Sequence, residues 1–178
     1  TKGEIQLINA WIKQGADNKI ALAQLPEEDG LKQITSKLLA SKNKSIEPVF
    51  AFNFAKTEII DGLQNPFRSV IQKSPASPAI EVVINGRETY RPEFLTDLSS
   101  IKEQIVSLNL SFLPVDKSSI DFISSLSNLN NLLLNFTDVT TNDLSGLKTC
   151  VNLKTLSLSG TKVDVEIKDL LKQLPKLE

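Results

Sequence analysis

The chain of 178 residues contains no histidine. That removes the commonest general base and the commonest nitrogen ligand for a metal. No Ser-His-Asp triad, Cys-His pair or histidine-rich metal site can be built from this chain. Cysteine is nearly as scarce: Cys150 stands alone, which excludes an intrachain disulfide. Neither sign of charge dominates, with 20 basic residues against 21 acidic ones and a net charge of −1. No broad electrostatic pull toward nucleic acid or an anionic membrane follows, so no nucleic-acid partner is expected. No apolar run approaches the roughly 18–20 residues of a membrane span, so no membrane insertion is expected of this chain. Thr1 is not an initiator methionine; a fragment or processed form is expected, and the missing leader excludes nothing.

What is present is a rhythm. Ile105, Leu108, Leu110, Leu113 and Val115 form one pattern; Leu129, Leu132, Leu134, Thr137 and Val139 repeat it 24 residues later; Leu153, Leu156, Leu158, Thr161 and Val163 repeat it again. Leu177 falls on a fourth start at the same spacing. In each copy the last two leucines of L-x-x-L-x-L alternate with polar residues, the period of a half-buried strand. Leu108 and Leu110, Leu132 and Leu134, and Leu156 and Leu158 are therefore expected to point inward. Between the strands lie residues three or four apart, the spacing of one helix face. They are Ile120, Ile123 and Leu126, then Leu144, Leu147 and Cys150, then Ile167, Leu171 and Leu174. Cys150 occupies the slot of Leu126 and Leu174, so a buried, inert thiol is expected.

This L-x-x-L-x-L-x-x-(T/L)-x-V unit is the leucine-rich repeat pattern, one short strand plus one helix or 3₁₀ turn. The expected fold class is α/β: a leucine-rich repeat solenoid of short parallel strands and helices, with a mainly helical N-terminal cap. One unit alone cannot cover its apolar side, so stacked units share a core. The repeats are expected over 104–178. Residues 17–103 read as the cap, including a degenerate first repeat at 79–103, in which Ile84 stands 24 residues before Leu108.

The N-terminal half reads as follows. Residues 3–15 predict a helix with Ile5, Ile8, Trp11 and Ile12 on one face and Gly15 as its stop. Asp17–Leu25 predicts a second short helix ended by Pro26. Glu27–Lys42 predicts a longer one, with Glu27, Glu28 and Asp29 at its N-terminus and Leu31, Ile34, Leu38 and Leu39 as its stripe. Ser41–Ser45 predicts a loop, Ile46–Phe54 a short strand, Lys56–Leu63 a helix and Phe67–Gln72 an extended stretch. Lys73-Ser-Pro-Ala-Ser-Pro-Ala is a turn-rich connection. Ala79–Asn85 predicts a strand and Pro92–Ile101 a helix.

Two stretches resemble known families. Glu4 to Ala16 resembles the last helix of bacterial c-type cytochrome domains, E-x-x-L-I-x-x-W-I-x-x-G-A. The haem-attachment motif C-x-x-C-H is absent. The resemblance therefore implies no cofactor in this chain, with haem belonging to a parent protein. Residues 1–16 are then the end of a cytochrome-like domain. The segments Ile101–Ser111, Val139–Leu144 and Leu156–Asp164 resemble the "LNL-x-x-T-x-V-T-D" repeats of bacterial leucine-rich repeat proteins. In Bacteroidetes- and Planctomycetes-type proteins such repeats follow a c-type cytochrome module. The pattern departs at Leu113-Pro114 and at Asp164-Val165. The resemblance implies an extracytoplasmic place, periplasm or cell envelope.

With the leucines turned inward, the outward positions on the strand side are Ser107, Asn109 and Ser111; Asn131, Leu133 and Asn135; Thr155, Ser157 and Ser159. In a leucine-rich solenoid this side is the concave, partner-binding surface. Its hydroxyls and amides suit an unknown protein strand or carbohydrate, with Leu133 as the contact centre. The last strand, Leu153–Leu158, is expected to carry an unpaired edge open to self-association. The function expected is a non-enzymatic interaction module. The alternatives are a spacer attached to a haem-containing redox domain, or an enzyme using carboxylate pairs such as Glu27/Glu28 or Asp138/Asp143.

Overall fold

Glu4 in the first turn and Lys13 in the last complement the dipole of the first helix, α1, Lys2–Lys13. Gly15, at φ +94°, ends it as the sequence predicts. The Gly15 amide donates to the Ile12 carbonyl and the Ala16 amide to the Trp11 carbonyl, both at 3.0 Å, which is the Schellman pattern. The computed structural model describes residues 2–16, 25–42 and 50–178. The predicted helix at 17–25 lies outside them except for Leu25, as does most of the predicted loop at 41–45.

Two compact units divide the chain, Thr1–Pro48 and Val49–Glu178. In the first, α2 spans Gly30–Lys42 rather than starting at Glu27. The reason is its cap: Asp29 Oδ1 accepts the amides of Leu31 at 2.8 Å and Lys32 at 3.3 Å. Asp29 Oδ2 also accepts from Gln14 Nε2 at 2.9 Å, tying α1's end to α2's start. Glu27 pairs with Lys32 Nζ at 2.8 Å. Of the predicted stripe, Leu31 is buried and Ile34 and Leu38 are half-buried. The expected apolar face of α1 stays open, with Ile5, Ile8, Trp11 and Ile12 all exposed.

The second unit is mixed α/β, built on an open, mostly parallel five-stranded sheet. Of the strand predicted at 46–54, residues 46–49 lie outside the described residues and 50–54 are irregular. The Asn53 carbonyl there accepts from the side chain of Gln104 at 2.9 Å instead of from a neighbouring strand. Alternation of Phe50, Phe52 and Phe54 was a local signal with no partner strand to satisfy it. Helix α3, Thr57–Leu63, follows. Then β1, Arg68–Ser74, and β2, Ser77–Ile84, form an antiparallel hairpin closed at Ser74 and Ser77. Of the turn-rich connection read at 73–79, only Pro75-Ala76 lies between the strands; the rest belongs to β1 and β2.

Arg68 fastens this hairpin. It is 5% exposed, and its guanidinium donates to the carbonyls of Leu63 and Phe94 at 2.7 Å each and to Asp97 Oδ2 at 3.1 Å. The residues after β2 form α4, Glu93–Thr96, and a 3₁₀ turn, Asp97–Ile101. The predicted helix at 92–101 is thus split between two geometries, with Leu95, Leu98 and Ile101 buried.

From there the order is β3, Ile105–Asn109; α5, Lys117–Ser124; β4, Asn131–Leu133; a 3₁₀ helix, Asp143–Thr149; β5, Thr155–Ser157; and α6, Ile167–Leu171. Strands β2 to β5 run parallel. Leu108 lies opposite Leu132, and Leu132 opposite Leu156, so the 24-residue spacing is the pairing register. The register into β2 is different. Leu108 pairs with Val82, not Ile84, after a shift at Ile80/Glu81. A displacement of two residues keeps the inward parity, so Val82 and Ile84 are both buried.

Leu108, Leu110, Leu132, Leu134, Ile120, Ile123, Leu126, Leu144, Leu147 and Cys150 share one buried cluster. Leu156, Leu158 and Val163 only lean against it. On α6 the buried residue is Leu170, with Ile167 and Leu171 partly covered, which corrects the expected face; Leu174 is buried as expected. Asp116 caps α5, accepting the Ser119 amide at 2.8 Å and the Ser119 hydroxyl at 2.7 Å. Among the described residues no helix is long and apolar enough to cross a membrane.

Candidate functional site

The outward strand positions come together as one face, with one exception. Ser107 is 2% exposed. It lies in register between Glu81 and Asn131, and its hydroxyl accepts from Asn131 Nδ2 at 3.1 Å. A long neighbouring side chain covers a short one, so Ser107 leaves the predicted surface. Asn109, Ser111, Asn131, Leu133, Asn135 and Ser157 are half-buried, while Thr155 and Ser159 are exposed.

Leu133 sits in register between Asn109 and Ser157. It is the apolar member of an otherwise amide and hydroxyl row. The amides also stiffen the strand ends. Asn109 Oδ1 accepts the Ser111 amide at 3.0 Å. Asn135 Oδ1 accepts the Ser157 hydroxyl at 2.6 Å and the Ser159 amide at 3.0 Å. Both asparagines thereby hold their side chains in fixed rotamers, which lowers the entropy a ligand must remove.

Sequence reasoning passed over the strand ends themselves. Phe112, Phe136 and Gly160 stand 24 residues apart, and all three hold positive φ, at +68°, +55° and +70°. Gly86, two residues past the end of β2, does the same at +87°. The two phenyl rings stack with centroids 4.8 Å apart and planes at 12°. They are 58% and 54% exposed. The available signal was glycine in the third copy of a slot that holds phenylalanine in the other two.

Beside the rings is an ion network that draws on the segments after β2, β4 and β5. Asp138 Oδ1 meets Lys162 Nζ at 2.8 Å, and Asp138 Oδ2 meets Arg87 Nη2 at 3.1 Å. Arg87 Nη1 donates to the Phe112 carbonyl at 3.3 Å. The hydrogen bond from Lys162, then that from Arg87, holds the Asp138 carboxyl below the ordinary aspartate range.

Asp143, offered with Asp138 as a carboxylate pair, has a local role. It accepts the hydroxyl of Thr140 at 2.7 Å and the Thr140 amide at 2.8 Å, and these bonds lower its titration. At Asp116, partial burial raises the carboxyl, but the bonds from Ser119 and Ser118 outweigh it and lower it overall. Tyr90 closes that cluster through Ser119 Oγ at 2.7 Å, and burial raises its phenol. Burial likewise raises the Cys150 thiol, against a weaker opposing bond from Thr149. Glu27, of the second carboxylate pair, is engaged with Lys32.

Two hollows lie among the described residues. One of about 220 Å³ lies between Leu7, Ile8, Trp11, Leu31 and Thr35 and is apolar. The other, about 330 Å³, opens on the helix side between Thr141, Lys148, Glu166 and Gln173. Among the described residues no three acidic or thiol side chains converge as a metal site would require. No protein-family model, no curated protein and no solved structure matches this chain.

Proposed function

We propose that residues 79–178 are a leucine-rich repeat solenoid. We further propose that the chain is a non-enzymatic interaction module, the recognition part of a larger extracytoplasmic protein. One observation carries the reading. The Asn130 amide donates to the Val106 carbonyl at 2.8 Å, Lys154 to Asn130 at 2.8 Å and Glu178 to Lys154 at 2.9 Å, the same bond made three times at a constant 24-residue step. A side-chain rung accompanies it: Asn128 Nδ2 donates to the Glu103 carbonyl and Asn152 Nδ2 to the Ser127 carbonyl, both at 2.8 Å.

Units that bind one another through their backbones leave a row of outward strand positions, whose asparagines are already held in place by local bonds. Repeat proteins use such a surface for partners. Here it offers Asn109, Asn131, Leu133, Asn135, Ser157 and Ser159 to a protein or a glycan. The non-enzymatic reading is supported by Asp138 and Asp143, whose bonds to neighbours hold them ionised rather than poised to exchange a proton. The extracytoplasmic place is supported by the cytochrome-like segment Glu4–Ala16, with any haem carried by the parent protein.

The test is affinity capture of partners by the full chain and by a Leu133→Arg, Asn109→Ala variant of unchanged melting temperature. Capture lost in the variant supports the reading. Capture unchanged favours the spacer reading, in which the strand face is only solvated.

A further inference from the structure

One backbone slot is solved in two ways. At Gly86 and Gly160 the left-handed conformation is held by glycine, for which it carries no steric penalty. At Phe112 and Phe136 it is held by an aromatic residue, whose Cβ crowds the backbone in that region. The crowding is not offset by burial, since both rings are more than half exposed. Gly160 makes room for the arrangement, because a Cβ there would fall 2.5 Å from Phe136 Cδ1. The slot is left-handed in all four turns, so what sets the middle two apart is the exposed aromatic pair they carry at a strained position.

The surroundings say what would use it. The two rings stack on each other and stay more than half exposed. Arg87 and Lys162 stand beside the pair, two cations sharing the single carboxylate of Asp138. Arg87 touches the Phe112 carbonyl directly. An apolar side chain flanked by carboxylates fits both features at once. Aromatic residues next to arginine are also the composition of interface hot spots.

We propose that Phe112 and Phe136, with Arg87 and Lys162, form a docking site for an acidic segment of a partner protein. An apolar side chain of that segment lies against the ring pair, and its carboxylates meet the two cations. The proposal rests on the interaction-module reading and specifies the chemistry of the partner.

The probe is an array of capped hexapeptides with four Asp or Glu residues around every pair of apolar residues, beside a charge-inverted set carrying Lys. Cellohexaose and chitohexaose are run in parallel. The full chain is compared with a Phe112→Gly, Phe136→Gly variant, chosen because glycine suits the slot and preserves the fold. The expected result is binding confined to the acidic peptides, weakened about tenfold or more in the glycine variant, with a melting temperature no lower than that of the parent chain. Added salt should weaken it further. Equal binding of the charge-inverted set, binding of the oligosaccharides instead, no peptide binding, or undiminished binding by the glycine variant each overturns the proposal. So does a clear fall in that variant's melting temperature, which would make the rings packing elements. Leu133→Arg separates the two readings: acidic peptides lost there but kept in the glycine variant would sink the aromatic site and leave the strand face as the contact surface.

Discussion

The ring of Phe136 lies across Gly160, so close that a Cβ on the glycine would stand 2.5 Å from Cδ1 and 2.7 Å from Cε1. Gly160 also sits at φ +70°. Gly160→Ala therefore meets two obstacles, a left-handed backbone and an occupied space. The backbone alone should cost about 1–2 kcal/mol, while the exposed ring can swing away. Urea unfolding of Gly160→Ala should show that loss, and ring-proton shifts of Phe136 should show displacement. If the alanine variant is as stable as the parent and the ring shifts are unchanged, this close packing is wrong.

Leu132 and Leu156 face each other in register on the neighbouring strands β4 and β5. Leu132 has strands on both sides and no exposure, whereas Leu156 on the outer strand is partly open. Leu132→Ala should cost about 2–5 kcal/mol, as a fully enclosed leucine does. Leu156→Ala should cost less than about 2 kcal/mol, because its side chain keeps water contact in the folded state. Equal losses measured by denaturant midpoints would contradict the sheet order.

The contrast between these leucines shows what the sequence could and could not reveal. Leu108, Leu132 and Leu156 were legible because strand alternation and a constant step are both written in residue types. Val82 opposite Leu108 was not, because the shift at Ile80/Glu81 depends on a backbone irregularity that no side chain announces. Ser107 obeyed the alternation rule and was still buried, since the Asn131 side chain covers it. Phe50, Phe52 and Phe54 alternated as a strand would, yet strand formation needs a neighbour, and the Gln104 side chain took the Asn53 carbonyl. The Phe112–Phe136 pair was hidden for another reason: a left-handed conformation at phenylalanine runs against residue preference, and only coordinates reveal it.

Asp138 links residues from three turns through Lys162 and Arg87. Those bonds hold its carboxyl below the unfolded value, which is about 3.9. A depressed carboxyl contributes stability that is fully present above the unfolded value and disappears as pH falls through the folded one. Stability should therefore decline in acid below about pH 4, and Asp138→Asn should flatten that decline. Denaturant midpoints across an acid series check this. An unchanged acid slope in the variant would remove Asp138 from the account, leaving Asp143 and Asp116, which are shifted the same way.

Arg68 is a buried charge with three acceptors on α3, α4 and the adjoining turn. Replacing it with methionine keeps most of the volume but leaves the Leu63 and Phe94 carbonyls without their donor. Each unsatisfied buried acceptor costs about 1–3 kcal/mol. Arg68→Met should thus lower stability by about 2–5 kcal/mol. Hydrogen exchange should rise first in β1 and β2, where the hairpin is fastened. A loss spread evenly over β3 to β5 would mean that Arg68 supports the whole core rather than the first edge.

Cys150 is almost wholly buried beneath the 3₁₀ helix Asp143–Thr149, with its thiol 3.5 Å from the Ile123 carbonyl. Burial raises the thiol, so less thiolate exists at a given pH than in an unfolded chain. Both access and ionisation therefore oppose reaction in the native state. A disulfide reagent at mildly alkaline pH should modify Cys150 only through opening of the structure, with a rate that climbs steeply in urea and parallels unfolding. The same shift gives a pH dependence of opposite sign to that of Asp138. Above about pH 8.5 the unfolded thiol ionises while the buried one resists, so stability should fall as pH rises. Cys150→Ala should remove that alkaline decline without altering the acid limb. A native-state modification rate close to that of a free thiol would show that the structure does not close over Cys150, and the buried cluster that it shares with Leu126 and Leu147 would fail with it.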